Sequence, residues 1–206
     1  MADHVEVIGS GSASAVPDVA VLDVRVRVEA REAGAALDAL AARLEDVRAA
    51  TRAAGLRDAD RRTTSLGLTD RRDRDHQAVV GYLAHQGLRL VVRDTGRVGD
   101  LVAALGAAAG DALGVDDIRF EVADRAPLRE RARAAAFEDA RGRALQYAGL
   151  AGRGLGPVLR VTEHEGAGGG PQPMTRRVVA TASMPVEAGE TEVGVTVLVR
   201  FALEAS

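Results

Sequence analysis

The 206-residue chain contains no lysine, no cysteine and no tryptophan, and aromatic residues make up only 2% of it. Each absence removes a class of chemistry. Without lysine there is no Schiff-base nucleophile and no phosphate-loop lysine. Without cysteine there are no disulfides, no thiolate metal sites and no thiol catalysis, although the compartment stays open because many proteins of oxidising compartments also lack cysteine. Scarce aromatics leave no stacking platform for bases and require a core of Val, Leu and Ala. No apolar run reaches the length of a membrane span. No basic n-region or apolar h-region follows Met1-Ala2-Asp3-His4, so the sequence as given reads as cytoplasmic.

What is present is the make-up of an ordinary folded protein, 47% hydrophobic and 28% charged. All 27 basic residues are Arg, set against 30 acidic ones, for a formal net charge of −3. The two signs are interspersed, which gives no basic stripe for a phosphate backbone and argues against a nucleic-acid partner.

Hydrophobic periodicity outlines the elements. Val5 to Ile8 reads as a short strand that Gly9-Ser10-Gly11-Ser12 and Pro17-Asp18 then break. From Val19 to Glu29, Ala20, Leu22, Val24, Val26 and Val28 alternate with polar residues, as in a half-buried antiparallel strand. Leu37, Leu40, Leu44 and Val47 recur at helical spacing between Glu32 and Ala54, with Gly55 in the position of a C′ glycine. Thr63 to Thr69 and Val79 to Val92 form a hairpin around the charged turn from Asp70 to Asp75, and Asp94-Thr95 caps a second helix with the stripe Val98, Leu101, Val102 and Leu105.

A strand through Ile118, Phe120 and Val122 leads into the longest helix, Pro127 to Ala151, where alanines at 132, 136, 140, 144 and 148 would let it lie close to a sheet. Val158 to Thr162, Arg177 to Met184 and Val193 to Leu203 read as further strands, with a flexible Gly/Pro loop from Gly166 to Pro173 among them. Such an order lacks the strict alternation of a doubly wound fold. The expected class is α+β, antiparallel sheet with about three helices on one face, in a single domain spanning 1–206.

No catalytic, cofactor-binding or metal-ligating constellation emerges. Gly9-Ser10-Gly11-Ser12 lacks the following helix N-terminus that a phosphate loop needs; the glycines instead suit a chain that reverses or passes close to a neighbour. His4, His76, His85 and His164 show no metal-ligand spacing. Asp116-Asp117 reads as a solvated turn rather than an acid/base dyad. Ser10, Ser12, Ser14 and Ser65 lack a nucleophile elbow. The runs Arg71 to Asp75 and Arg129-Glu130-Arg131-x-Arg133 read as solvated, ion-paired faces.

Several fragments in order resemble the SIMPL-domain family over nearly the whole chain: Val7-x-Gly9-x-Gly11 with Pro17-Asp18, Gly55-Leu56 leading to Asp60 and Thr63-Thr64, Gly81-Tyr82-x-Ala84, and Val92-Arg93-Asp94. The Ala-rich helix from Arg131 to Ala148, Gly154-Leu155-Gly156 and Pro185-Val186-x-Ala188-Gly189-Glu190 follow. The resemblance implies a SIMPL-like fold with no catalytic residues, a homo-oligomeric or partner-binding role loosely tied to oxidative or DNA-damage stress, and a periplasmic or cell-envelope alternative to the cytoplasm. Against this non-enzymatic reading stands a small-molecule-binding or hydrolytic domain with a pocket between sheet and helices.

Overall fold

The computed structural model describes residues 3–73, 75, 77–164 and 189–204. The fold is α+β, and the described chain forms two compact units: one from the segment up to Pro17 together with those that begin at Val122 and Gly189, the other from Asp18 to Glu121.

The second unit is a four-stranded antiparallel sheet in the order β3-β4-β2-β5, made of β2 (Val19–Ala30), β3 (Arg61–Arg72), β4 (Val79–Val92) and β5 (Leu113–Glu121). The alternation expected of β2 is realised: Ala20, Leu22, Val24 and Val26 are buried. They pack against Leu40 and Val47 of α1 (Ala33–Ala53) and Leu101 and Leu105 of α2 (Val98–Ala109). Helix α1 ends where the sequence places its end. Gly55 takes φ +87°. Its N–H donates to the Arg52 carbonyl and that of Leu56 to the Thr51 carbonyl, the paired bonds of a Schellman stop. The Asp94 side chain accepts from the Gly96 N–H at the turn that leads into α2.

In the first unit a three-stranded antiparallel sheet, ordered β1-β7-β6, comprises β1 (His4–Ala15), β6 (Gly154–His164) and β7 (Thr191–Glu204). Helix α3 (Ala126–Leu150) lies on it, with Ala132, Ala136, Ala140, Ala144 and Ala148 all buried. Val195, Val197, Val199 and Phe201 of β7 supply the facing apolar row.

Two expectations need correction. Strand β1 does not break at Gly9-Ser10-Gly11-Ser12; it pairs with β7 without interruption from His4 to Ala15. The glycines do meet a neighbour closely, but the neighbour is α3: a Cβ on Gly9 or Gly11 would stand well under 3.0 Å from the Ala136 backbone. Asp116-Asp117 is not a turn either. Both residues lie in β5, where the register against β2 shifts, so Asp116 is bulged while Asp117 faces Asp23. The Gly166 to Pro173 loop, the strand Arg177 to Met184 and His76 lie outside the described residues.

Candidate functional site

The two sheets treat their edges differently. Backbone groups along a free strand edge invite another strand unless something occupies them. On β1 the occupants come from α3. The Ser10 N–H donates to the Asp139 carboxylate at 2.9 Å, Arg143 donates to the Ile8 carbonyl at 3.1 Å, and Arg131 donates to the Ser14 carbonyl at 3.3 Å. The Ser10 N–H bond, chief among several causes, holds the Asp139 carboxyl below its ordinary pKa. That edge is closed.

Among the described residues strand β3 is an edge of the other sheet, and its register with β4 puts Leu66 opposite Gln86 and Leu68 opposite Ala84. Ala84 is buried in the helix-side core, so Leu68 and Leu66 stand on the face that carries the helices. Yet Leu66 is 67% and Leu68 39% exposed, because the helix layer packs on β2 and β4 and leaves β3 beyond it.

Between α1 and the β3–β4 hairpin this overhang leaves a cleft of about 360 Å³. Leu44, Val47 and Leu88 line it with apolar surface, and Thr63 Oγ1 accepts from the Gln86 amide at 3.1 Å. Arg48, Arg52 and Arg61 bring three cationic side chains against the single carboxylate of Asp58, whereas Arg62, which also borders the cleft, lies opposite Arg89 in the register and so projects from the face away from the helices. Arg61 donates to Thr51 Oγ1 at 3.0 Å and pairs with Asp58. Thr51, fully buried, donates in turn to the Arg48 carbonyl at 2.9 Å.

The short 3-10 turn Asp58–Asp60 that positions Asp58 is anchored from below. Asp60 is only 6% exposed. Its carboxylate accepts from Arg57 at 2.8 and 2.9 Å and from Arg93, just past β4, at 3.0 Å. The Arg57 guanidinium, first, and then Arg93 hold its pKa far below the usual carboxylate range against the opposing effect of burial. On the face of the sheet opposite the helices, Asp23 of β2 is clamped by Arg89 of β4 at 2.7 and 2.9 Å and by Arg119 of β5 at 2.8 Å.

The residues weighed from sequence are dispersed. His4 opens β1 and His164 closes β6. His85 lies across the strand from Gly67, where a Cβ would collide with its ring, so the imidazole fills the space that glycine leaves in β3. Among the described residues no group of three or more His, Asp or Glu could hold a metal ion. Ser10, Ser12 and Ser14 lie along β1, and Ser65 lies in β3. The charged runs are ion-paired as expected: Arg71 with Glu29, Arg72 with Asp70, and Arg133 with Glu163 at 2.8 Å. The cleft went unread because its arginines come from separate elements, and only the four-residue spacing of Arg48 and Arg52 on α1 hints at it.

Residues 5–201 match the profile of the SIMPL family, described as a protein of unknown function (DUF541). The chain belongs to the SIMPL family. It is 30% identical over 221 residues to the 26 kDa periplasmic immunogenic protein of Brucella melitensis, an alignment covering 98% of this chain and 85% of that protein. Uncharacterized protein YggE of Escherichia coli strain K12 is likewise 30% identical, over 195 residues covering 91% of this chain and 76% of YggE. The fragments that resemble SIMPL proteins acquire physical roles here. Gly9 and Gly11 seat α3, while Asp60 and Arg93, distant in sequence, form one ion pair. No helix among the described residues is long and apolar enough to cross a membrane.

Proposed function

We propose that this SIMPL protein is a non-enzymatic interaction protein that assembles by pairing β3 with β3 of a second copy. The supporting observation is the uncovered helix-side face of that edge strand, with Leu66 and Leu68 exposed. Antiparallel addition across a two-fold axis would satisfy the open N–H and C=O groups and bury the leucines. The centre of β3, Thr63 to Thr69, carries no charge, whereas Arg61-Arg62 and Arg71-Arg72 flank it. In antiparallel pairing about the strand centre, Arg61-Arg62 of one copy fall opposite Arg71-Arg72 of the other, a repulsion that weakens the ends of the ladder and leaves the uncharged centre to carry the association.

The Brucella relative is named a periplasmic protein, and we extend that compartment to this chain as part of the same proposal. Recovery from the cytosolic fraction alone would restore the cytoplasmic expectation. We extend to this protein the tie to oxidative or DNA-damage stress that the family resemblance implies, and a deletion strain that survives peroxide as well as its parent would remove it. Assembly is tested by absolute mass from light scattering on the eluting protein across a range of concentrations. The wild type is expected as a defined multimer and a Leu66→Lys/Leu68→Lys variant as a folded monomer. A wild type that stays monomeric at high concentration, or a variant that remains multimeric, would sink the reading.

A further inference from the structure

The geometry points to a binding site for a small organic anion in the cleft between α1 and the β3–β4 hairpin: a carboxylate or phosphate monoester carried on a compact apolar body. The volume, about 360 Å³, falls within the range of small-ligand sites. The lining divides by chemistry into an apolar side of Leu44, Val47 and Leu88 and a cationic side of arginines. This asymmetry suits a ligand with a charged head and an apolar body. A neutral ligand would leave the guanidinium groups without a counter-charge, and a bare anion would leave the leucines in contact with water.

Arg61 is the group on which the inference turns. Its side chain is 13% exposed, so its guanidinium is already largely withdrawn from water. One N–H goes to Thr51 and one to Asp58, out of the five donors a guanidinium carries. The Nε–H has no partner among the described residues. Since no buried side-chain nitrogen there is left unpartnered, that donor is not sealed from solvent, and Arg61 itself lines the cleft. Asp58 cannot neutralise the site. It is itself mostly exposed and is shared between Arg61 and Arg52, the latter at 4.0 Å.

The other cations are equally available. Arg48 reaches only an exposed carboxylate, Glu45, at 3.4 Å. Arg52 reaches only the mostly exposed Asp58, at 4.0 Å. A planar guanidinium fork held in place by Thr51, with further arginines around it, matches the paired oxygens of a carboxylate or phosphate. The Arg57–Asp60–Arg93 cluster fixes the turn beneath and so sets the position of Asp58 and Arg61 before any ligand arrives.

The test is a methyl-resolved NMR titration of the whole chain with hexanoate and with hexyl phosphate, alongside hexanol and inorganic phosphate. Saturable shifts of the Leu44, Val47 and Leu88 methyls with either organic anion are expected, weakening as salt is added. Whichever of the two binds more tightly identifies the head group. Hexanol and inorganic phosphate should each bind at least about tenfold more weakly. Arg61→Gln should abolish the shifts. Because that variant also loses the Thr51 contact, an Arg48→Gln/Arg52→Gln variant, altered only at the rim, is the companion; it should fold normally and bind about tenfold more weakly. No saturable methyl shift with either anion, shifts centred elsewhere, equal binding of hexanol, or unaltered binding by the rim variant would each overturn the proposal. Titrating the Leu66→Lys/Leu68→Lys variant in the same way separates this result from the fate of β3 pairing.

Discussion

Gly9 of β1 and Ala136 of α3 meet backbone to backbone: a Cβ placed on Gly9 would fall well under 3.0 Å from the Ala136 carbonyl oxygen, and one on Gly11 would meet the Ala136 amide nitrogen just as closely. Both obstacles are main chain, so neither can be relieved by a side-chain rotation. Gly9→Ala and Gly11→Ala are each expected to cost about 2–3 kcal/mol, the scale of overpacking a filled interface. Ser10→Ala, between them, keeps the backbone bond to Asp139 and should stay within about 0.5 kcal/mol of the wild type. Urea midpoints of the three variants check this directly. Equal midpoints would mean that the strand and helix have room to separate.

That seam was half legible in the sequence. The four-residue spacing of the alanines announces a helix face made for close approach, because helical periodicity is local. Gly9 and Gly11 have the opposite local meaning, a break, and only the helix that packs on them, more than a hundred residues later, turns them into strand residues. For the same reason β2 could be read almost residue by residue, since alternation and burial there coincide, whereas the order β1-β7-β6 could not, since it joins the two ends of the chain. The exposed leucines of β3 look in sequence like those of any half-buried strand. What exposes them is where the helix layer stops. Arg61 of the cleft is an unremarkable surface arginine until the fold places Thr51 and Asp58 on either side of it.

Removing the carboxylate of Asp60 frees Arg57 and Arg93, whose side chains are 61% and 57% exposed and return to water, but takes from the 3-10 turn the acceptor that ties it down. Asp60→Ala is therefore expected to destabilise by about 1 kcal/mol, because solvent screens the freed guanidinium groups. Asp60→Asn, which still offers an acceptor, should lose less. Thermal unfolding of both variants, beside Arg93→Gln, would show whether the three residues act as a unit. If the single losses simply add, they do not.

The closed edge of β1 makes a prediction about exchange rather than about global stability. Asp139 accepts the Ser10 N–H in a charge-assisted bond at 2.9 Å. In Asp139→Ala that amide should exchange with solvent at least about tenfold faster, while amides facing β7 change little. Light scattering should also reveal slow self-association of the variant, since a strand edge previously occupied is now open. Unchanged exchange at Ser10 would show that the edge is protected by something other than Asp139.

Acid should unfold the four-stranded unit through carboxylates that are already named. The Asp23 pKa is pushed down to about 2, chiefly by the hydrogen bond from Arg89 and further by Arg119, with burial opposing both. An unfolded aspartate titrates near 3.9. The folded value is the lower one, so the unfolded chain binds the proton more readily, and the stabilisation is complete above about pH 4 and is lost as pH falls towards 2. Asp60 acts in the same direction, with Arg57 as the first cause. The arginine ends of the Asp23 cluster reach water, at 37% and 36% exposed, which screens the pair and reduces its contribution to about 1–2 kcal/mol. In Asp23→Asn the unfolding free energy from urea titration at neutral pH should fall by that amount, and its decline between about pH 4 and 2 should be shallower than in the wild type. Parallel declines would mean that the arginines release Asp23 without cost, and that Asp60 with its own clamp carries the acid sensitivity of this unit alone.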